Sequence, residues 1–190
     1  MGYDKARIRI SGVSLAKRNF NLLKNVSAFV VEAGPGISGS IHYVNDLDKN
    51  GPLGGIIAAW KYVKQFADIK GALLLACDYP KLNSQFIEFL ITCGENMTVI
   101  PEKDGIPQWL CAKWSAEDLE LAERSYARGF RRVADVFTLD RPNRLILSRQ
   151  IWQEFINPDD LFDVDEPNDL MSCFDLDKPL PEMLHVKGGS

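Results

Sequence analysis

The segment GALLLACDYP, residues 71–80, is the most informative stretch of this 190-residue sequence. A near-continuous apolar run of this length is typical of a strand that is buried on both faces of a parallel sheet. The run ends at Asp78 and Pro80, because proline cannot continue inside a sheet. Ligands of open α/β sheets bind beyond the carboxyl ends of such strands, so Asp78 is a candidate site residue.

Asp78 has two interpretations of equal weight. A lone carboxylate at a strand end suits a divalent cation that bridges substrate phosphates. The same carboxylate could instead cap the turn or helix that follows. The position of Asp78 alone leaves both open.

Strand-like and helix-like segments alternate around this run, which indicates an α/β layer structure. SAFVVEA (residues 27–33) reads as a second buried strand, and MTVI, QWLCAKW and RLILS predict further strands. Apolar spacing predicts helices over residues 14–26, 52–62, 84–93 and 115–128, with a short one at RRVADVF. LFDVD (residues 161–165) predicts a terminal strand that is followed by a helix.

LFDVD also supplies a second acidic pair. In a strand, Asp163 and Asp165 project to the same face, because side chains alternate with a period of two. Two carboxylates on one face repel each other unless a cation or hydrogen-bond donors lie between them. A metal site is therefore one interpretation, and a helix cap beside a solvent-facing carboxylate is the somewhat favoured alternative.

GPLGG (residues 51–55) precedes a predicted helix, so backbone N–H groups near Gly51 and Gly54 could face an anion. The stretch lacks the Lys-Ser/Thr of a P-loop, and a plain turn with close packing is the favoured interpretation. Asp46 and Asp48 lie just upstream, where solvated loop charge is the default. A locally basic cluster could meet phosphates, although a solvated face is its usual role; it comprises Lys5, Arg7, Arg9, Lys17 and Arg18.

Composition excludes several classes of protein. The net charge of -4 gives no overall positive field for non-specific nucleic-acid binding, and no apolar run is long enough to cross a bilayer. The amino terminus has no apolar signal-peptide core. The four cysteines are scattered without a Cys-x-x-Cys pair, which argues against a zinc or redox motif. We therefore expect reduced thiols in a cytoplasmic protein without a membrane or nucleic-acid partner.

Taken in order, six segments resemble the MobA-like nucleotidyltransferases, the molybdenum cofactor guanylyltransferase family: MGYDKA, GPLGGI, LLLACDYP, QWLCAKW, RGFRRVADVF and LFDVDEPNDL. The resemblance runs from residue 1 to about residue 170. It implies a Rossmann-like nucleotidyltransferase fold, which is an α/β architecture with a mostly parallel sheet and helices on both faces. We expect one such domain over residues 1–174 and a loosely ordered tail over residues 175–190.

The resemblance also implies a reaction, in which GMP passes from GTP to the terminal phosphate of molybdopterin with Mg²⁺ and pyrophosphate is released. Lys5 and Asp78 would be catalytic: Lys5 contacts the nucleotide phosphates and Asp78 ligates Mg²⁺. Asp163 and Asp165 would be further metal ligands, and nucleotide contacts would come from Lys5, Asp46, Gly51 and Gly54. A molybdopterin-carrying protein could dock on residues 129–137.

Two departures from the family pattern keep alternatives open. Met1 is itself the Met of the family's Met-Gly-x-Asp-Lys motif, so the preceding strand and Gly-rich nucleotide loop fall outside this chain. Either they lie upstream of a start that is set too late, or they are lost and the chain is a non-catalytic binding protein. Asp-Val-Asp stands where guanylyltransferases often carry Asn, which leaves cytidylyl or another nucleotidyl transfer as an alternative reaction.

Overall fold

The computed structural model describes residues 5–46, 51–66, 68–137 and 143–161, in which strands and helices alternate along the chain. The strands are β1 (Arg9–Ile10), β2 (Val13–Ser14), β3 (Val31–Ala33), β4 (His42–Val44), β5 (Gly71–Leu75), β6 (Thr98–Lys103), β7 (Ile106–Pro107), β8 (Cys111–Ser115) and β9 (Arg144–Leu147). The helices are α1 (Leu15–Leu23), α2 (Pro52–Val63), α3 (Ser84–Thr92), α4 (Ala116–Ala127), α5 (Val133–Val136) and α6 (Arg149–Trp152). The predicted α/β alternation is therefore confirmed as far as β9.

Some of the predicted elements cannot be compared with the structure. Apart from Leu161, which is buried, the predicted strand over residues 161–165 lies outside the described residues. The helix expected after it and the expected tail over residues 175–190 lie outside them as well.

A five-stranded sheet forms the centre of the described structure. β8 pairs with β5 on one side and with β6 on the other, and β6 also pairs with β9 and with the short β7. β3 and β4 form a separate parallel pair, and β1 and β2 form a small hairpin ahead of α1. The Rossmann-like α/β class implied by the resemblance is confirmed.

The expectation of a mostly parallel sheet is corrected for the central strands. β6 and β9 run parallel, but β8 is antiparallel to both β5 and β6. The reason is the connection from Lys103 to Cys111, which contains only the β7 turn-back and is too short for a parallel crossover. The strand at residues 71–75 therefore has an antiparallel neighbour, where the sequence predicted a parallel one.

Helices cover both faces of the central sheet, and neighbouring strand residues belong to opposite cores. Val99 and Cys111 pack in a cluster with α3 and α6, whereas Ile100 and Ala112 pack in a cluster with α2, α4 and α5. This follows from the period-two alternation of side chains along β6 and β8. The prediction of helices on both faces is confirmed.

Candidate active site

The turn that follows β5 is held by side chains from α1 and from the loop before β8. Asn19 Nδ2 donates to the Ala76 carbonyl at 2.6 Å, and Arg18 Nη2 donates to the Pro80 carbonyl at 3.2 Å. The buried Tyr79 donates its hydroxyl to Gln108 Oε1 at 2.9 Å. These anchors fix the backbone on both sides of Asp78, so the carboxylate is positioned by the fold.

Asp78 faces Lys5 at this strand end. Lys5 Nζ lies 3.6 Å from Asp78 Oδ2, and the two side chains keep 25% and 28% of their exposure. This distance makes an ion pair but exceeds a normal hydrogen bond. A half-exposed pair of this kind stabilises the fold little, so it can separate to let a phosphate or a cation enter.

The beginning of α2 carries a second acidic residue. A Cβ atom added at Gly54 would lie 2.5 Å from Asp46 Oδ1, so the Asp46 carboxylate rests directly on the first turn of the helix. Glycine at position 54 permits this approach, and the positive end of the helix dipole favours a carboxylate there. Gly51 precedes the helix with φ 99°, a backbone conformation that favours glycine.

Both acidic groups lie at the same edge of the sheets. The first residues of β3 and of β5 line one cavity together with Val63 at the end of α2, so β3 and β5 run in the same direction past this helix. β4 is parallel to β3, and Asp46 just after it reaches the first turn of α2. Asp46 and Asp78 therefore both follow carboxyl ends of strands, where α/β sheets bind ligands.

Of the predicted site residues, the structure pairs Lys5 with Asp78 and Asp46 with Gly54, and it places Gly51 at the start of the same helix. Asp48, Asp163 and Asp165 lie outside the described residues, so their proposed roles stay predictions.

Tyr126 and Arg131 lie beside this site and escaped sequence reasoning as a pair. The Arg131 guanidinium stacks on the Tyr126 ring at 4.3 Å and donates to the Tyr126 and Phe130 carbonyls. The Tyr126 hydroxyl lies 3.5 Å from the Cβ position of Gly54. The signal available in the sequence was an aromatic residue and an arginine flanking the helix stop at Gly129, which the notion of a solvated arginine run did not use.

The basic cluster near the amino terminus has mostly local roles. Arg18 holds the Pro80 carbonyl, Arg9 donates to the Gly12 carbonyl, and the Lys17 ammonium lies 4.7 Å above the Phe20 ring. Lys5 is the member that reaches a candidate site residue. The cluster as a whole is therefore structural, and Lys5 carries its functional interest.

Lys113 is a buried lysine whose environment also explains it structurally. Burial lowers the pKa of its ammonium, against the attraction of Cys93. Its Nζ donates to the carbonyls of Ile91, Cys93 and Gly94 at the end of α3. Lysine at a helix carboxyl end satisfies free carbonyls and the helix dipole, so Lys113 acts as a cap.

Two further observations delimit the site. The three described cysteines, Cys77, Cys93 and Cys111, are free thiols, and burial raises the pKa of Cys111. In the part of the chain that the structure describes, no helix is long and apolar enough to cross a membrane. The buried Cys111 is an inert core residue.

Mg²⁺ fits the donors at the end of β5 when it arrives with a phosphate ligand. Among the described residues, no group of three or more His, Cys, Asp and Glu side chains could hold a metal ion by itself. Asp78 nevertheless offers an accessible carboxylate. Mg²⁺ is commonly held by one or two carboxylates together with substrate phosphates and water. Asp78 is thus the described residue that could bind a magnesium-loaded triphosphate.

Comparisons with known proteins agree with this geometry. Residues 1–141 match the family model described as the MobA-like NTP transferase domain. Among curated proteins, no relative matches the chain.

Three solved structures share the fold. Molybdopterin-guanine dinucleotide biosynthesis protein A from Archaeoglobus fulgidus is 21% identical, with a TM-score of 0.65 and coverage of 90% of this chain and 89% of that one. A protein from Aquifex aeolicus VF5 is 14% identical, with a TM-score of 0.61 and coverage of 80% and 79%. A protein from Mycobacterium tuberculosis H37Rv is 13% identical, with a TM-score of 0.64 and coverage of 92% and 91%.

Proposed function

The chain belongs to the family of MobA-like NTP transferase domains, and on that premise we propose that this nucleotidyltransferase transfers GMP from GTP to molybdopterin with Mg²⁺. The products are the guanine dinucleotide of molybdopterin and pyrophosphate. The printed name of the Archaeoglobus fulgidus protein, which shares the fold, supports this choice of donor and acceptor. The ion pair of Lys5 and Asp78 at the end of β5 is the observation that carries the proposal.

The chemistry requires that negative charge be met at two places. An oxygen of the acceptor phosphate attacks the α-phosphorus of GTP, a new P–O bond forms, and the bond to the β-phosphate oxygen breaks. The electron pair of that bond leaves on pyrophosphate. A bound Mg²⁺ would bridge the phosphates and offset their charge. The acceptor phosphate is already ionised, so the attack needs no general base.

The described residues divide this work between two strand ends. Asp78 would hold the metal-bound end of the triphosphate, and Lys5 would move from Asp78 to the leaving pyrophosphate as charge develops. Asp46, on the first turn of α2, would accept hydrogen bonds from hydroxyl or amino groups of the nucleoside. Gly54 and Gly51 would allow the nucleotide to approach the helix backbone closely.

Pyrophosphate release tests the choice of donor. The protein is incubated with Mg²⁺, molybdopterin and either GTP, CTP or ATP, and release is compared with and without the acceptor. We expect acceptor-dependent release with GTP that exceeds release with CTP or ATP by about 100-fold, a ratio within reach when buried polar groups read a base.

Other outcomes decide between the alternatives. A preference for CTP contradicts the guanylyl assignment and favours cytidylyl transfer. Failure to bind any of the three nucleotides in the presence of Mg²⁺ contradicts the transferase proposal and favours a non-catalytic protein.

A further inference from the structure

A large apolar cavity separates β3 from β5. Its volume is about 670 Å³, and one side is formed by Phe29, Val30 and Val31 while the opposite side is formed by Ala72, Leu73 and Leu74. Protein interiors contain few voids larger than a water molecule, so this space is no ordinary packing defect.

Helices and loops close the cavity on both sheet faces. Ile56, Ala59 and Trp60 of α2 line one face, and Leu23 and Ile91 line the other. The cavity therefore has the shape of a slot in the plane of the sheets, with a strand edge on each side and apolar side chains above and below. Of the shapes that polypeptide takes, an extended strand fits such a slot.

The two strand edges that face the slot lack a partner strand within the described residues. β3 pairs with β4 and β5 pairs with β8, each on the side away from the slot. Their inner edges present backbone N–H and C=O groups to an apolar space, which is costly unless those groups are hydrogen-bonded.

The burial of β5 carries the same message. Every residue of Gly71–Leu75 is only half-buried, although this strand is the most continuous apolar run in the sequence. Val99 and Ile100 of β6 are fully buried in the same sheet. A strand with the composition of β5 is expected to be covered on both faces and paired on both edges.

We propose that the slot binds one β-strand, a segment of about five apolar residues that pairs with both β3 and β5. β3 and β5 both begin at the end of α2, and Lys5 lies at the opposite edge beside Asp78. A strand that runs parallel to both ends near Lys5, so the segment ahead of residue 1 in the same polypeptide is the occupant. The inference goes beyond the proposed function and does not depend on which nucleotide is used.

Extended chains test this strand site. One variant carries VIVLV and a Gly-Ser linker ahead of residue 1, and a matched control carries VIPDV with the same linker. Thermal unfolding and amide hydrogen exchange are measured on both and on the 190-residue chain. We expect VIVLV to raise Tm by roughly 5 °C or more and to slow exchange at Val31 and Leu73 by about tenfold or more. VIPDV should change neither, because proline removes a ladder hydrogen bond.

A substitution inside the slot separates strand insertion from general stickiness. Ala59→Trp fills the slot from α2, and Ala127→Trp makes the same change at an exposed position outside it. The benefit of VIVLV should disappear in Ala59→Trp and persist in Ala127→Trp. Equal stabilisation by the two extensions, or a benefit that survives Ala59→Trp, overturns the proposal.

The source of the strand has its own test. The intact mass of the protein from its natural source should exceed that of the 190 residues by a segment that contains an apolar run, and an equal mass overturns that part of the proposal. None of these readouts measures catalysis. A stabilised chain without transferase activity would contradict the proposed function and support the strand site, and the reverse result would do the opposite.

Discussion

Asp78 is accessible because its neighbours carry the structural work around it. Asn19, Arg18 and Tyr79 anchor the turn, and none of them takes the Asp78 carboxylate in these contacts. The sequence predicted the position of Asp78 at a strand end, since an apolar run that stops at Asp and Pro is a local signal. It could not predict Asn19 and Arg18 as anchors, because those contacts join residues about sixty positions apart.

Replacement of Lys5 tests its role at the phosphates. Lys5→Met removes the ammonium near Asp78, and we expect nucleotidyl transfer to fall by about 100-fold, as for loss of one preorganised electrostatic group. Lys5→Arg should keep part of the activity, because charge is retained. Lys81→Met is a matched control, since Lys81 pairs with Asp160 at the same 3.6 Å and similar exposure. Equal losses in Lys5→Met and Lys81→Met would remove Lys5 from the mechanism.

Glu32 predicts a pH dependence of stability. Burial raises the pKa of Glu32, but hydrogen bonds from Ser38, Ile37 and Gly36 outweigh it and leave the pKa below its ordinary value. The carboxylate therefore stabilises the fold above the unfolded pKa of about 4.3, and this stabilisation is lost as the pH falls through the folded pKa. We expect Glu32→Gln to lower Tm at pH 7 by roughly 2–4 °C.

The same difference in Tm should shrink as the pH falls from about 5 to about 3, where wild-type Glu32 becomes protonated. Thermal unfolding of both proteins across this range measures it. A difference that is constant with pH would mean that the charge of Glu32 contributes nothing.

Among the elements, α2 connects the fold to the site. The sequence predicted its start correctly, because proline is favoured in the first helical turn. It could not show that Gly54 makes room for Asp46, since no local pattern links a loop carboxylate to a glycine in the next helix. The close approach became visible only when β4 and α2 were placed side by side.

Gly54→Ala tests that close approach. The added methyl would sit 2.5 Å from Asp46 Oδ1 and displace the carboxylate, so we expect GTP affinity to fall about tenfold. Stability should change little, because alanine favours the helix and the displaced atom ends a flexible side chain. Gly55→Ala, whose methyl meets Ala33 Cβ at 3.2 Å, is the control within the same helix. Unchanged GTP affinity in Gly54→Ala, measured by titration calorimetry, would contradict the role of Asp46.

α4 and β9 are joined by a buried ion pair. Arg144 donates to Asp118 at 2.9 and 2.7 Å, and its guanidinium lies 4.3 Å from the Phe137 ring. Asp118→Ala leaves Arg144 buried without its carboxylate, and we expect a loss of roughly 3–5 kcal/mol of unfolding free energy. Asp118→Leu with Arg144→Met should restore most of it. A loss below about 1 kcal/mol in urea unfolding would show that water or Phe137 suffices for Arg144.

At the scale of the whole molecule, the sequence predicted the α/β class and helices on both faces but erred on strand direction. Periodicity reports which faces of a strand are buried, and it contains no information about the direction of a neighbour. The reversal of β8 follows from the short connection from β6, which only pairing reveals. The slot between β3 and β5 likewise depends on where strands of distant sequence come to lie.

Transfer of the α-phosphate is the most direct test of the nucleotidyltransferase site. GTP labelled at that phosphate is supplied with Mg²⁺ and molybdopterin to the wild type, to Asp78→Asn and to Asp160→Asn, which alters a matched ion pair. The account predicts label in the molybdopterin product, with a rate about 100-fold lower in Asp78→Asn and unchanged in Asp160→Asn. Near-normal transfer by Asp78→Asn, or no transfer by the wild type, would contradict it.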